Sequence, residues 1–345
     1  IAKIGDSGDN KLKILICTGL YPPDIGGPAE YAKNLKDEFL RMNNKVKVLV
    51  YKRERKMPMG ISHFFYFLRT LSYIIKTDLV IALDTFSVGL PSVLVAKIFR
   101  KKIILRIGGD YLWESYINRS GNLLTLEQFY LKKPKLSLKE KLIQIFSKFV
   151  LRNASVLIFN TVWQSVIFEK EYHIKKEKIF IVENFYGKKI ISKCIVNKNY
   201  IFAGRLIKLK NIAVLKDAFE EARKENKQIK LEIISNISHD ELFEKIKCCY
   251  AVILPSVSEI NPNLIADAIM FGKPFILTKE SGLNENIKKL GIFIDPFDKV
   301  DIKNKILHLA DSENYEKYKK NIIDSNFTHS WNEIAKEFLE IYRKI

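Results

Sequence analysis

The sequence predicts an α/β protein built from two doubly wound domains, and three observations carry that reading. Short apolar runs alternate with longer amphipathic segments along the 345 residues, the alternation pauses at a lysine-rich stretch and then restarts, and glycine-bearing loops follow several of the apolar runs. In chain order, strands are expected near 13–17, 46–50, 79–83, 103–107, 156–159 and 179–182, which sets an amino-terminal domain over residues 1–185. Residues 186–199 read as the linker. The alternation resumes near 200–203, 230–234, 251–254, 274–277 and 292–294, giving a second domain over 200–328 and a terminal helix within 329–345. Each domain has room for a full hydrophobic core.

The first apolar run, Lys13-Ile14-Leu15-Ile16-Cys17, is followed by Pro22-Pro23-Asp24-Ile25-Gly26-Gly27-Pro28 and then by a helical pattern to Arg41. Glycine suits any tight strand-to-helix turn. The dinucleotide fingerprint G-x-G-x-x-G directly after the strand is missing, which weakens an oxidoreductase reading. In the second domain, Tyr200-Ile201-Phe202-Ala203-Gly204-Arg205-Leu206 reads as strand and loop, with Gly204 permitting close backbone approach and Arg205 and Lys210 projecting from the loop. Residues 251–254 are a short branched run of the buried parallel type, closed by Pro255 and Ser256. Asn261 is expected to cap the next helix with Pro262 at its first helical position, leaving the amides of Asn263, Leu264 and Ile265 to meet an anion beyond the strand end. Glu259 in that loop and Asp267 in the helix can face the same crevice and accept hydrogen bonds from hydroxyls.

Composition narrows the classes. A 47% apolar content with 12% aromatics excludes a disordered chain. Four cysteines, two of them adjacent at Cys248 and Cys249, show neither metal-ligand spacing nor a secreted disulfide framework, so they are expected as core residues in a reducing cytoplasm. No apolar run approaches the roughly 20 residues needed to span a bilayer, and no signal peptide is read. The net charge of +19 is uneven: residues 1–185 hold 31 Lys and Arg against 17 Asp and Glu, and residues 186–345 hold 27 against 22. Within the basic half, Lys52-Arg53-Glu54-Arg55-Lys56 precedes the aromatic-rich residues 61–75, which read equally as a segment for an anionic membrane surface and as a sheet-covering helix. A second basic cluster is Lys132-Lys133-Pro134-Lys135. No nucleic-acid motif accompanies the charge, so no nucleic-acid partner is expected. His63, His173, His239, His308 and His329 belong to no paired motif and read as structural.

Three blocks together resemble glycosyltransferase family 4. The stretch from Pro255-Ser256-Val257-Ser258-Glu259 to Asp267-Ala268-Ile269-Met270-Phe271-Gly272-Lys273-Pro274 is similar to the family's P-S-x-x-E-G-F-G... E-A-x-x-x-G-x-P signature, with seven residues between the two acids. It departs at Ile260-Asn261-Pro262 and at Asp267, which is shorter than Glu by one carbon–carbon bond of about 1.5 Å. Gly204-Arg205-Leu206 with Lys210-Asn211 is similar to G-R-L-x-x-x-K-G, Asn replacing a glycine where a left-handed backbone is tolerated. The Pro22 to Gly27 loop matches P-P-x-x-G-G. The resemblance implies the GT-B fold, two Rossmann-like domains facing across a cleft, with the terminal helix returning to the first domain. It implies that Arg205 and Lys210 hold the donor diphosphate, Glu259 the donor sugar, Asp267 the ribose, and Gly26 and Gly27 the phosphates from across the cleft.

The implied reaction is hexosyl transfer with retained anomeric configuration, from a nucleotide-diphosphate sugar to a glycan or lipid-linked acceptor, with no metal and no other cofactor. Many family members have a histidine near the reacting sugar; here the segment 104–114 ends in Gly108-Gly109-Asp110-Tyr111-Leu112-Trp113-Glu114 without one, resembling a G-D-Y-x-W-E variant. Asp110 reads equally as the group that orients or deprotonates the acceptor and as a helix cap. The basic first half favours an acceptor at the inner membrane face, as in bacterial surface-polysaccharide assembly, with the protein cytoplasmic and peripherally attached. The alternatives are a nucleotide-sugar epimerase on the same fold and a scaffold that has lost its chemistry.

Overall fold

The computed structural model describes residues 11–190, 194 and 197–345. Part of the expected linker, residues 191–193, 195 and 196, lies outside the described residues. The first domain runs β1 (Lys13–Thr18), α1 (Gly27–Arg41), β2 (Lys45–Val50), α2 (Ile61–Ile74), β3 (Leu79–Ala82), α3 (Gly89–Ile98), β4 (Lys102–Ile107), α4 (Tyr111–Ser120), α5 (Leu126–Lys132), α6 (Leu138–Asn153), β5 (Val156–Phe159), α7 (Val162–Tyr172) and β6 (Ile179–Ile181). The second runs β7 (Asn199–Ala203), α8 (Ile212–Glu225), β8 (Lys230–Ile234), α9 (His239–Cys248), β9 (Ala251–Leu254), α10 (Asn263–Met270), β10 (Phe275–Thr278), α11 (Glu285–Lys288), β11 (Ile292–Ile294), α12 (Lys299–Ala310) and α13 (Ser312–Asp324), before α14 (Trp331–Arg343) closes the chain.

Both sheets are parallel, ordered β2-β1-β3-β4-β5-β6 and β11-β10-β9-β7-β8. Parallel strands need helical crossovers, so both faces of each sheet are covered and the strands read as unbroken apolar runs. The two faces are visible in the alternation of side chains. Ile14, Ile16, Leu79, Ile81, Ile104 and Ile158 pack with α1 and α14, whereas Leu15, Cys17, Val80, Ala82, Leu105 and Phe159 pack with α2, α3, α6 and α7. Strand order reverses between β1 and β3 and again between β7 and β9, so the loops after these strands open at topological switch points.

The terminal helix α14 buries Ile334, Ala335, Phe338, Leu339 and Ile341 against the first domain, at the 3.6-residue period of an apolar stripe. Trp331 stacks on Phe185 at 5.4 Å and meets Tyr31 edge-on at 5.1 Å. The cysteines depart from the expectation of four unpaired core residues. Cys194 and Cys248 form a disulfide, with Cα atoms 5.3 Å apart, while Cys17 and Cys249 are buried thiols whose pKa values burial raises to about 11 and about 12. Ile190 N donates to Met270 O at the end of α10, and Cys194 meets Cys248 at the end of α9. Among the described residues no helix is long and apolar enough to cross a membrane.

Candidate functional site in the interdomain cleft

The loop after β7 carries the two expected cations, but the structure sends them to different partners. Gly204 lies beside Lys210, a Cβ there falling 3.9 Å from the Lys210 Cε. Residues Lys208–Lys210 form one 3-10 turn that ends on Asn211 in the left-handed conformation (φ 54°, ψ 35°), as its side chain allows. Asn211 Nδ2 donates to Pro255 O and Pro296 O, tying the turn to the loops after β9 and β11. Lys210 Nζ thereby reaches Glu259 Oε1 at 2.5 Å, and Ser256 Oγ donates to the same oxygen. Glu259 is itself fixed by its backbone, with its N–H donating to Glu280 O and its O accepting from Gly282 N. Arg205 points across the cleft instead. Its Nη2 is 3.1 Å from both carboxylate oxygens of Glu114 on α4, and the Arg205 side chain is 67% exposed.

The helix after β9 starts later than expected. Pro262 occupies the cap of α10 without a side-chain bond, and Asn261 turns away, accepting from Tyr186 Oη and donating to Asn160 O. Ile265 N donates to Pro262 O, so of the three amides expected to be free, those of Asn263 and Leu264 remain. Asp267, one turn on, is buried, and burial raises its pKa. Its Oδ2 lies 3.4 Å from His239 Nε2, and this bond raises the histidine's pKa in turn. His239, expected to be structural, therefore joins the site. The reason is local: Ser238 caps α9 in a capping box with Glu241, which places the next residue at the carboxyl end of β8.

The glycine loop of the first domain does approach the second. Gly26 caps α1 at φ 135°, a conformation open to glycine, and a Cβ on Gly27 would fall 2.7 Å from Asn263 Nδ2. Asn263 Oδ1 accepts from Asn184 Nδ2, and Asn184 Oδ1 accepts from Arg106 Nη2 at 2.7 Å. Arg106 is buried, its guanidinium 3.8 Å over the Tyr31 ring, and its Nε has no hydrogen-bond partner among the described residues. This Arg106-Asn184-Asn263 chain spans residues of three separate segments that no linear motif links.

Asp110 is the cap of α4. Its Oδ1 accepts from Leu112 N and Trp113 N, and its Oδ2 accepts from the Tyr130 hydroxyl, which also meets Tyr172. The residue is buried, and burial raises its pKa to about 6. The capping role open from sequence is the one the structure displays, with both oxygens engaged inside the domain. Trp113 packs in the core and donates to Leu124 O. No cluster of three metal-ligating side chains is present among the described residues.

Two Rossmann-like domains with parallel sheets, facing across a cleft lined by these loops, constitute the GT-B fold. No family model matches the chain, and no curated protein matches it. Solved structures do. The chain is similar to sucrose-phosphate synthase from Thermosynechococcus elongatus (TM-score 0.71, 14% identity, 97% of this chain and 99% of that one) and to WaaG, a glycosyltransferase involved in lipopolysaccharide biosynthesis (TM-score 0.67, 13%, 95% and 99%). It is also similar to a putative UDP-N-acetylglucosamine 2-epimerase from Listeria monocytogenes (TM-score 0.60, 10%, 97% and 96%). At these identities the likeness is one of fold.

Proposed function

We propose that the protein is a retaining, metal-independent glycosyltransferase that moves a hexosyl group from a nucleotide-diphosphate sugar to a glycan or lipid-linked acceptor in bacterial surface-polysaccharide assembly. The observation that carries this reading is the Lys210-Glu259-Ser256 cluster at the switch point of the second sheet, with Arg205 on the same loop. A cation, a carboxylate and a second, more exposed cation there match what a sugar diphosphate presents: hydroxyls for Glu259 and a leaving diphosphate for Lys210 and Arg205. The free amides of Asn263 and Leu264 and the close loop at Gly26 and Gly27 supply further phosphate donors. Asp267 takes the ribose hydroxyls, with His239 beside it restoring reach that the shorter side chain lacks. As the bond to the diphosphate breaks, positive charge builds on the sugar and the acceptor hydroxyl enters on the face the diphosphate leaves. The two cations stabilise the departing charge without a metal.

The fold is shared with an epimerase, and an inert scaffold would share it too, so the test separates all three. A panel of UDP-, GDP-, ADP- and TDP-sugars, with NAD as control, is scored by thermal stabilisation of wild type, Arg205→Ala and Glu259→Ala. A donor at 100 times its dissociation constant adds about 2.7 kcal/mol. The expected result is a shift with one sugar nucleotide, lost in both variants, with Arg205→Ala also lowering transfer by about 10² to 10³. Epimer formation without acceptor would give the protein to the second reading, and no shift with any donor to the third.

A further inference from the structure

The helices α2, α3 and α6 form one layer over the first sheet, each contributing buried residues to the same core and packing side by side. A helix of this kind normally turns its apolar stripe inward and a charged face outward. These helices carry a second apolar stripe on the outer side. On α2, Ile61, Phe64, Phe65 and Leu68 are 52%, 58%, 46% and 43% exposed, at spacings of three, one and three residues. On α6, Leu138, Leu142 and Ile145 repeat the pattern, and Ile98 and Phe99 at the end of α3 lie in the same layer. Solvent-facing stripes at helical spacing on neighbouring helices are not the scattered exposed leucines of an ordinary surface.

The charge around these stripes is predominantly positive. Residues 61–77, 89–105 and 128–153 contain a single acidic residue, Glu140, and it is buried and held by Arg119. Beside Leu138, the turn between α5 and α6 opens a cleft of about 380 Å³ ringed by Lys133, Lys135 and Lys141 against one carboxylate, Glu171, with Phe129 and Leu136 on its walls. Among the described residues, none of the three lysines lies within 4.0 Å of a carboxylate. By contrast, the exposed side of α8 interleaves both signs at Lys216, Asp217, Glu220, Glu221, Lys224 and Glu225.

We infer that the outer face of α2, α3 and α6 is a docking surface for an anionic lipid bilayer, with the apolar stripes entering the interface and the Lys133-Lys135-Lys141 cleft seating a lipid phosphate. Apolar area and cations on one helical face are the two terms of interfacial binding, and the occupant is fixed by charge complementarity. The surface lies outside the donor cleft, so its test needs no donor and fails or succeeds independently of the transferase reading.

The test is cosedimentation of the full chain with vesicles of phosphatidylcholine alone or of phosphatidylcholine mixed with phosphatidylglycerol. Binding is expected to the anionic vesicles only and to weaken between low salt and about 1 M, where the Debye length falls to about 3 Å. Each cation at such a surface is worth about a fivefold change in partition, so the triple variant Lys133→Gln, Lys135→Gln, Lys141→Gln should bind roughly 100-fold more weakly. Phe64→Ser with Phe65→Ser should bind at least about tenfold more weakly with an unchanged melting temperature, both rings being exposed. Absence of wild-type binding, equal binding to both vesicle types, or binding indifferent to both variants would overturn the proposal. So would a stable dimer that the Phe64 and Phe65 substitutions convert to monomer, because the face would then belong to a second copy of this chain.

Discussion

At the scale of residues, two carboxylates of the G-D-Y-x-W-E segment part company. Glu114 holds Arg205 in the cleft, where the same guanidinium is proposed to meet the donor diphosphate. With Arg205 two-thirds exposed, an ion pair of this kind contributes about 0.2–1 kcal/mol, so Glu114→Gln should leave the melting temperature nearly unchanged. The same substitution removes a competitor for the diphosphate. Donor affinity measured by calorimetry should therefore rise up to about fivefold, the factor that 1 kcal/mol corresponds to, and an unchanged or weaker affinity would exclude competition. Asp110 behaves differently because it is sealed inside. Burial raises its pKa from 3.8 to about 6, so the folded state binds this proton more tightly than the unfolded state does. The stabilising contribution is fully present below about pH 4 and is lost as pH rises through about 6. Asp110→Asn keeps a good cap and should flatten that slope in pH-dependent denaturation. Turnover near wild type would confirm the cap, whereas a loss of about 10² or more would restore the acid–base role.

At the scale of elements, legibility followed how local each signal was. The strand at 251–254 was readable because a four-residue branched run with Pro255 behind it has no other comfortable state, and β9 occupies those residues. The next helix was misplaced by one residue because Asn261, a good cap in isolation, uses its side chain on Tyr186 and Asn160 instead. That competition is tertiary and leaves no trace in the local sequence. Lys210 and Glu259 were each singled out through the resemblance to family motifs, but their contact with one another was not, and it follows from the left-handed Asn211 and the fixed loop after β9. The His239 and Asp267 pair was not, because the two residues sit on different helices and meet only once α9 and α10 are laid side by side. Arg106, Asn184 and Asn263 were invisible for the same reason, and the disulfide more so, since its two cysteines are separated by 54 residues and no local pattern pairs them.

At the scale of the whole molecule, the two domains meet through a small apolar contact edged by polar ones. Leu209, Val257 and Ile260 of the second domain are buried in the core cluster of the first, and around them Leu126 N donates to Ser258 Oγ and Asn284 donates to Glu183. Polar interfaces between domains permit relative motion, whereas buried aliphatic side chains hold a fixed arrangement. The arrangement of the two domains should therefore rest on Leu209 and Ile260 more than on the Arg205 and Glu114 pair, which salt screens and water already reaches. Small-angle scattering decides between these. A compact chain of this length has a radius of gyration of about 20 Å, and the free protein should lie close to that value at low and high salt alike. Leu209→Ser with Ile260→Ser puts two hydroxyls into the apolar contact and should enlarge the radius, with α14 still anchoring the first domain and each sheet still folded. Glu114→Gln should leave it unchanged. A radius that grows with salt or with Glu114→Gln, and not with the double substitution, would assign that arrangement to the ion pair instead.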